Sequence, residues 1–211
     1  MKVMIDLFCG LGGASQGFVD TEWKIIRIDN DESLKDIHRN IWIIDMNDWI
    51  TVYETISAHL YEPNVKEIFL MAGPPCTEFS MHNPNRPENP DTTLLENTLN
   101  LIQALHEYCI VYGIRFNWII ENVKGAIQIF NTKIGHKYKQ CVGPFFFWGE
   151  FPWDIALTDP DLKRHKKPFN KTNSRIHKLR RGQIHAKIPY ELSRSIRLTL
   201  DCQTSLSRWY S

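Results

Sequence analysis

The sequence has no apolar run that approaches the roughly 20 residues of a membrane-spanning helix, although 43% of its 211 residues are hydrophobic. No basic segment followed by a long apolar stretch opens the chain, so no secretory signal is predicted. The length fits one domain with a sizeable core. These features favour a cytoplasmic protein without a membrane segment.

The sequence also lacks any CxxC pair, because its five cysteines lie far apart: Cys9, Cys76, Cys109, Cys141 and Cys202. Zinc sites usually take closely spaced cysteines, so no metal site is predicted. An odd number of cysteines in a cytoplasmic chain indicates free thiols. One of these thiols is therefore a candidate for chemistry.

Acidic residues are scarce between positions 163 and 197. Twelve Lys or Arg stand there against one acid, Glu191. Since the whole chain has a net charge of only +1, the remainder is acidic. The basic stretch is typical either of a solvated surface or of contact with phosphates.

Short, continuous apolar runs alternate with helical patterns over the first 150 residues. Such runs are typical of strands buried on both faces. The clearest helix covers about Leu94–Val111, and Thr93-x-x-Glu96 before it fits a capping box. A last helix is predicted from Pro189. The predicted strands are Val3–Ile5, Ile25–Ile28, Trp42–Ile44, Ile68–Ala72 and Trp118–Ile120.

Strand–helix alternation predicts an α/β fold with a mostly parallel sheet and helices on both faces. Ligands of such folds bind outside the carboxyl ends of the strands. In this sequence each of those ends carries an acid, a glycine turn or a cysteine. The pattern therefore predicts an active site at that edge of the sheet.

A glycine turn, Gly10-Leu11-Gly12-Gly13, follows the first strand. Glycine permits positive φ and close approach of a ligand to the backbone. The spacing is not that of a dinucleotide fingerprint, and no Lys-Ser/Thr follows as in a P-loop. The turn alone also fits a plain connection between strand and helix.

Two acids end the next two strands. Asp29 lies about 20 residues after the glycines, where a carboxylate can accept hydrogen bonds from ribose hydroxyls. Asp45 is placed to accept an adenine amino group. Each acid alone also fits a helix cap or a solvated loop residue. Together with the glycine turn, they predict a nucleoside pocket.

Cys76 lies in a loop that two prolines stiffen, Gly73-Pro74-Pro75-Cys76, directly after the fourth strand. Glu121 ends the fifth strand, so adjacent strand ends would bring the acid towards the thiol. A thiolate can add to an electron-poor ring while an acid stabilises charge on the ring nitrogen. A buried structural cysteine and a helix-start acid are the alternative interpretations.

Three motifs in this order closely resemble the cytosine-5 DNA methyltransferases. The resemblance covers residues 3–130, and the final segment resembles the closing motif of compact, phage-type members. The motifs are Asp6-Leu7-Phe8-Cys9-Gly10-Leu11-Gly12-Gly13, Gly73-Pro74-Pro75-Cys76-x-x-Phe79-Ser80 and Glu121-Asn122-Val123, and the closing motif is Ala186-Lys187-Ile188-Pro189-Tyr190-Glu191-Leu192-Ser193.

The resemblance implies a Rossmann-like methyltransferase that uses S-adenosylmethionine, acts on double-stranded DNA and forms a covalent Cys76 adduct. It implies that the target cytosine is flipped out of the helix and that Glu121 stabilises charge at its ring nitrogen 3. The implied cofactor-binding residues are Phe8, Gly10, Gly12, Asp29, Asp45 and Pro75. A bacterial, archaeal or virus-infected host cell is expected, with restriction-modification, viral self-protection or regulation as roles.

Two departures from the family pattern limit the substrate assignment. The usual Gln-x-Arg-x-Arg strand would fall near Gln140, where no arginine occurs, and Lys137, Lys139 or a basic-stretch residue is left to substitute. Only about 40 residues remain for target recognition, so we predict short or relaxed specificity, or a partner protein that supplies it. Arg175, Arg180 and Arg181 are the expected phosphate contacts.

The predicted organisation is a catalytic domain over 1–142, a reduced recognition region over 143–185 and a returning C-terminal helix over 186–211. Methylation of transfer RNA or of free cytidine nucleotides is an alternative for the same chemistry. A catalytically silent, regulatory DNA-binding homologue is an alternative of another class.

Overall fold

The computed structural model describes residues 1–62, 64–152 and 187–207, with side chains up to residue 203. None of the helices in these ranges is long and apolar enough to cross a membrane. The strands of the described chain are β1 (Lys2–Leu7), β2 (Trp23–Asp29), β3 (Trp42–Ile43), β4 (Glu67–Ala72), β5 (Arg115–Asn122), β6 (Gln140–Val142) and β7 (Phe145–Glu150), and its α-helices are α1 (Trp49–Leu60), α2 (Thr93–Tyr112), α3 (Ile127–Ile134) and α4 (Tyr190–Ser207).

The strands form one sheet in the order β3-β2-β1-β4-β5-β7-β6. Strands β1 to β5 run parallel, whereas β7 is antiparallel to both β5 and β6. The order reverses direction between β1 and β4, and such a switch point opens a crevice at the carboxyl ends of the strands. The fold is therefore the α/β, Rossmann-like architecture that the alternation of strands and helices predicted.

Two cores cover the two faces of the sheet. On one face, α1, α2 and α3 pack with Val52, Leu105 and Phe130 against the strands. On the other face, α4 packs through Leu192 and Ile196. Both faces of the sheet are therefore buried, which explains why the sequences of the central strands are continuous apolar runs.

Small residues dock α4 closely onto the segment that follows β1. A Cβ on Gly17 would stand 2.3 Å from Arg194 N. The Ser193 hydroxyl donates to the Ala14 carbonyl at 2.5 Å and accepts from the Gly17 N–H at 2.8 Å. The final helix thus lies directly beside the glycine turn.

All five predicted strands are confirmed, as is the helix over Leu94–Val111. The predicted capping box is wrong, because α2 starts at Thr93 and the Thr93 N–H bonds to Asp91 Oδ1 at 2.8 Å. The N-cap is Thr92, which makes no side-chain capping bond. An Asx turn of Asp91 therefore opens the helix instead of a Thr93–Glu96 exchange.

Strand β7 was not predicted, whereas β6 lies where the resemblance places the Gln-x-Arg-x-Arg strand, near Gln140. Phe145–Glu150 falls within the predicted recognition region, 143–185, yet it pairs with β5 across five residues. The sheet thus continues past residue 142, and the domain boundaries themselves stay predictions. Enrichment in aromatic residues was the available signal for a strand here.

Candidate active site

The predicted site residues that follow strands β1 to β5 lie at one edge of the sheet. Because these strands are parallel and in register, their carboxyl ends meet there. The residues that lie at or just after those ends are Phe8, Gly10, Asp29, Asp45, Cys76 and Glu121. Within the described ranges, no group of three or more His, Cys, Asp or Glu is arranged to hold a metal ion.

The glycine turn after β1 has the backbone that its sequence requires. Phe8, Gly10 and Gly12 have φ values of 55°, 48° and 69°, in the left-handed region. A Cβ on Gly10 would meet nothing within 4 Å, so open space lies beside this residue. The turn therefore leaves room for a ligand beside the backbone of Gly10.

Asp29 braces this turn from the end of β2. Its Oδ2 accepts the Gly10 N–H at 2.9 Å, and its Oδ1 accepts the Asp31 N–H at 3.0 Å. Each carboxylate oxygen keeps a second lone pair for a ligand. The Gly10 carbonyl is also engaged, since it lies 2.9 Å from His38 Nε2.

Asp45 lies at the neighbouring strand end and is exposed. Its Oδ1 accepts the Asn47 N–H at 2.8 Å and caps a short 3₁₀ turn. The capping role that the sequence left open is therefore present, and it uses one of the two carboxylate oxygens.

Cys76 opens a tight turn after β4. The Cys76 carbonyl accepts the N–H groups of Phe79 and Ser80 at 3.0 and 2.9 Å. Pro74 is buried, Pro75 is exposed, and Cys76 is half-buried. Cys109, by contrast, is 1% exposed on α2 and belongs to the core. Of these two thiols, only Cys76 is accessible at the carboxyl edge.

Glu121 brings its carboxyl group to the Cys76 loop. A Cβ on Gly73 would stand 3.6 Å from Glu121 Oε2. Burial raises the pKa of Glu121 to about 8. Burial also raises the pKa of the Cys76 thiol, and the nearby Glu121 charge raises it further. The thiol and the acid thus interact electrostatically, and the acid is largely protonated at neutral pH.

Two contacts that the sequence did not reveal tie the Cys76 turn to the end of β5. Asn122 is buried, and its Nδ2 donates to the Pro74 carbonyl at 3.0 Å. A Cβ on Gly125 would stand 2.0 Å from the Phe79 carbonyl, so only glycine permits this approach. The Glu121-Asn122-Val123 motif was the signal that could have pointed to Asn122.

The structure describes some of the residues that were predicted to contact the cytosine or the DNA phosphates. Lys139 Nζ lies 4.6 Å over the Phe151 ring and donates to the Phe151 carbonyl. Gln140 pairs with Phe147, which in turn pairs with Glu121, so Gln140 lies two strands from the acid. Lys137 is exposed. Arg175, Arg180 and Arg181 lie outside the described residues.

A doubly wound, mostly parallel sheet with a glycine turn after β1 and an acid at the end of β2 is consistent with the fold of Rossmann-like methyltransferases. The sequence model of the C-5 cytosine-specific DNA methylase family matches residues 2–141, more than half of the 211-residue chain. The chain belongs to this family, and the family predicted from the three motifs is confirmed. No curated protein matches the chain.

Proposed function

We propose that this protein transfers a methyl group from S-adenosylmethionine to carbon 5 of cytosine in DNA through a covalent adduct with Cys76. Membership of the C-5 cytosine methylase family supports the reaction class. The observation that carries the residue assignment is the juxtaposition of a half-buried thiol and a carboxyl group, Cys76 and Glu121.

The edge of the sheet fits the proposed cofactor. Open space beside Gly10 and the left-handed backbone of the turn leave room for a ligand. Asp29 would hold the ribose hydroxyls and Asp45 the adenine amino group, while Phe8 would pack on the adenine and Pro75 would lie between the two ligands. Gly12 would line the amino-acid part. When bound, S-adenosylmethionine supplies an electrophilic methyl group on a sulfonium.

The chain's own residues would divide the chemistry between them. The Cys76 thiolate adds to carbon 6 of the ring and forms a carbon–sulfur bond, while Glu121 donates its proton or a hydrogen bond to ring nitrogen 3. The electron pair that reaches carbon 5 would form the bond to the methyl group, while the bond between the methyl group and the sulfonium sulfur would break and leave S-adenosylhomocysteine. A base would then remove the carbon 5 proton, the carbon 6–sulfur bond would break and release the thiolate, and any proton on ring nitrogen 3 would return to Glu121.

Protonation of Glu121 at neutral pH suits this role. A carboxylic acid can donate a hydrogen bond only while it holds its proton, and burial keeps the pKa of Glu121 at about 8. The thiol has the opposite requirement, since the thiolate is the nucleophile. When the cytosine ring lies between the two groups, the Glu121 proton interacts with ring nitrogen 3 and the negative charge of the Cys76 thiolate with carbon 6. A protonated acid and a thiolate can then act on the same ring.

The proposed substrate is double-stranded DNA with the target cytosine flipped out. The basic stretch over 163–197 supplies positive charge for phosphates, with Arg175, Arg180 and Arg181 as the proposed contacts. The proposed recognition region, 143–185, is short, so sequence recognition would be short or relaxed, or supplied by a partner. Mapping of methylated DNA to a single long site for the isolated protein would contradict this.

The test is methyl transfer from labelled S-adenosylmethionine to duplex DNA, transfer RNA and free cytidine nucleotides, in parallel. Label in DNA alone is expected. Label in transfer RNA alone, or in nucleotides alone, would show that this molecule and not DNA is the substrate. If none of the three is labelled and no adduct forms on 5-fluorocytosine DNA, the remaining alternative is a catalytically silent DNA-binding homologue.

Trapping on 5-fluorocytosine DNA identifies the nucleophile, because fluorine at carbon 5 cannot leave as the proton does. Cys76→Ser should abolish the adduct. Cys141→Ser is the matched control, since Cys141 is an exposed thiol on β6, the edge strand that β7 separates from β5. An adduct that persists in Cys76→Ser, or disappears in Cys141→Ser, would refute the assignment.

A further inference from the structure

An apolar patch lies where helices α1 and α2 end, and we call it the α2-end patch. Its members are Tyr61, Ile110, Val111 and Tyr112, which are 76%, 67%, 76% and 60% exposed. Isolated exposed apolar side chains are ordinary on protein surfaces, whereas contiguous apolar patches mark interaction sites. The α2-end patch is therefore a candidate interface.

The α1 part and the α2 part of the patch are joined through Tyr108, which is half-buried. The centroids of the Tyr108 and Tyr112 rings are 4.5 Å apart. The Tyr108 hydroxyl donates to the Leu60 carbonyl at 3.5 Å, directly before Tyr61. Burial raises the pKa of Tyr108, and the nearby hydroxyls of Tyr112 and Tyr61 raise it further. The exposed side chains of the patch therefore belong to one continuous surface.

The end of α2 differs from the usual end of a solvated helix. Its last turn has no basic residue, although the partial negative charge at the carboxyl end of a helix favours Lys or Arg there. Gly113 ends the helix in the left-handed conformation, with φ of 65°, so the helix stops without help from the apolar side chains before it. Three successive apolar residues at such a position indicate burial against another surface.

The patch lies at the edge of the sheet opposite the candidate active site. Helix α2 ends at Tyr112 and β5 begins at Arg115, so the patch is at the amino ends of the strands. Cys76 and Glu121 lie at the carboxyl ends. A partner on the patch would therefore leave the candidate active site open.

Charged residues of both signs border the patch. Glu107 lies one helical turn before Val111 and is exposed. Glu62 pairs with Lys24 at 2.5 Å, and Lys66 is exposed directly before β4. Nucleic acid requires a surface of positive charge, which this mixture does not provide. A surface with both signs can instead pair with a copy of itself, because each copy presents acids and bases to the other.

The area of the patch fits one half of a two-fold interface. Large side chains present about 150–250 Å² each when fully exposed, so the exposed fractions of the four members amount to roughly 500 Å². A stable interface buries about 800 Å² per partner, and the charged border with half-buried Tyr53 and Tyr108 can supply the difference. Tyrosine is also a residue type that is enriched in the centres of interfaces.

We propose that the α2-end patch binds a second copy of this chain and forms a two-fold dimer with Val111 near the axis. In a two-fold contact, a residue at the axis meets the same residue of the partner. Val111 lies between Ile110 and Tyr112 in the chain, at the middle of the apolar end of α2. The tyrosines on either side then pack against the other copy. This inference does not depend on the proposed methyl transfer.

Analytical ultracentrifugation of the full chain tests the proposal. The wild-type protein should sediment as a dimer at tens of micromolar. Val111→Lys places two like charges beside each other at the axis and should raise the dimer dissociation constant by about 100-fold or more. Ile50→Lys is the matched control, because Ile50 is 57% exposed in the first turn of α1 and lies outside the patch. It should leave the dissociation constant unchanged.

A monomeric wild-type protein at this concentration would overturn the second copy as the occupant and would point to a different protein as the partner. A dimer that Val111→Lys retains with unchanged affinity would overturn the patch as the interface. Equal weakening by Val111→Lys and Ile50→Lys would also overturn it.

Disulfide trapping gives a second test, in a background where the exposed Cys141 and Cys202 are replaced by Ser. Cysteines at a two-fold axis can reach the Cα separation of about 4.4–6.8 Å that a disulfide requires. Mild oxidation should therefore give a covalent dimer for Val111→Cys and none for Ile50→Cys. Equal cross-linking of the two variants, or none in Val111→Cys, would overturn the position of Val111 at the axis.

Discussion

Asn122 Nδ2 donates a 3.0 Å hydrogen bond to the Pro74 carbonyl, so the strand that carries the acid is bonded to the loop that carries the nucleophile. Asn122 follows Glu121 directly, and Pro74 lies two residues before Cys76. Asn122 Oδ1 also accepts the Val123 N–H at 2.9 Å. One buried amide therefore holds both reactive side chains in a fixed relation.

Replacement of Asn122 by Ala should reduce both stability and adduct formation. It leaves the buried Pro74 carbonyl unpaired, which costs about 1–3 kcal/mol of unfolding free energy. We also expect adduct formation on 5-fluorocytosine DNA to slow by about 10-fold or more, because the thiol and the acid lose their common support.

Asn97→Ala is the control for this experiment. Asn97 Nδ2 makes a similar bond, 3.1 Å to the Met46 carbonyl, which joins α2 to the turn after Asp45 and not to the Cys76 loop, so the two rates are compared at saturating S-adenosylmethionine. It should lose comparable stability but retain the rate of adduct formation. A similar slowing in both variants would show that Asn122 acts on stability alone.

Glu121→Gln should shift the pH dependence of Cys76 alkylation to lower pH. Burial raises the pKa of the thiol most, and the Glu121 charge adds to the rise. Gln removes the charge but keeps the shape, so thiolate forms at lower pH. Iodoacetamide modification followed by peptide mass spectrometry resolves Cys76 from the exposed Cys141 and Cys202. An unchanged midpoint would mean that the carboxylate does not act on the thiol.

Glu121→Gln should also change how stability depends on pH. Because the folded-state pKa is about 8 against an ordinary value of 4.5, the stabilising contribution is complete below pH 4.5 and is lost as pH rises through 8. The wild-type protein should therefore lose roughly 2–5 kcal/mol more than the variant over this range. The pKa of Asp6 is also raised, but this effect is common to both proteins and cancels. Unfolding free energies are measured by urea denaturation at each pH. If they change with pH by the same amount in both proteins, the raised pKa is not that of Glu121.

Gly17→Ala should displace α4. The new Cβ would stand 2.3 Å from Arg194 N and 2.5 Å from the Ser193 carbonyl carbon, and backbone atoms cannot move aside without the helix. We expect a loss of about 2–4 kcal/mol in denaturant unfolding. Gly135→Ala, where φ is +86° and nothing lies within 4 Å, should cost only about 1 kcal/mol. Equal losses would argue against close docking.

Asp29→Asn should weaken S-adenosylhomocysteine binding far more than Asp45→Asn. The Asp29 oxygens accept the N–H groups of Gly10 and Asp31, and the amide of Asn would set an NH₂ group against one of them. We expect about a 10-fold or greater loss for Asp29→Asn and less than about 5-fold for Asp45→Asn, whose acid is exposed. Calorimetry decides this, and the reverse order would refute the assigned roles.

The sequence by itself determined the parallel half of the sheet and the placement of the reactive residues. Continuous apolar runs are local signals of strands with two buried faces, and the residue that follows each run must lie at the carboxyl edge. Cys76 and Glu121 could therefore be assigned to one edge without coordinates. The family resemblance added the chemistry, which no periodicity contains.

Only the tertiary structure decided how that edge is assembled. The bond between Gly17 and Ser193 joins residues 176 positions apart, and the approach of Lys187 to Gly13 depends on it. The Asn122–Pro74 bond and the pairing of β7 with β5 are likewise long-range. Hydrophobic period and turn composition report only on neighbours along the chain, whereas these contacts arise when separate elements pack and satisfy one another's buried polar groups.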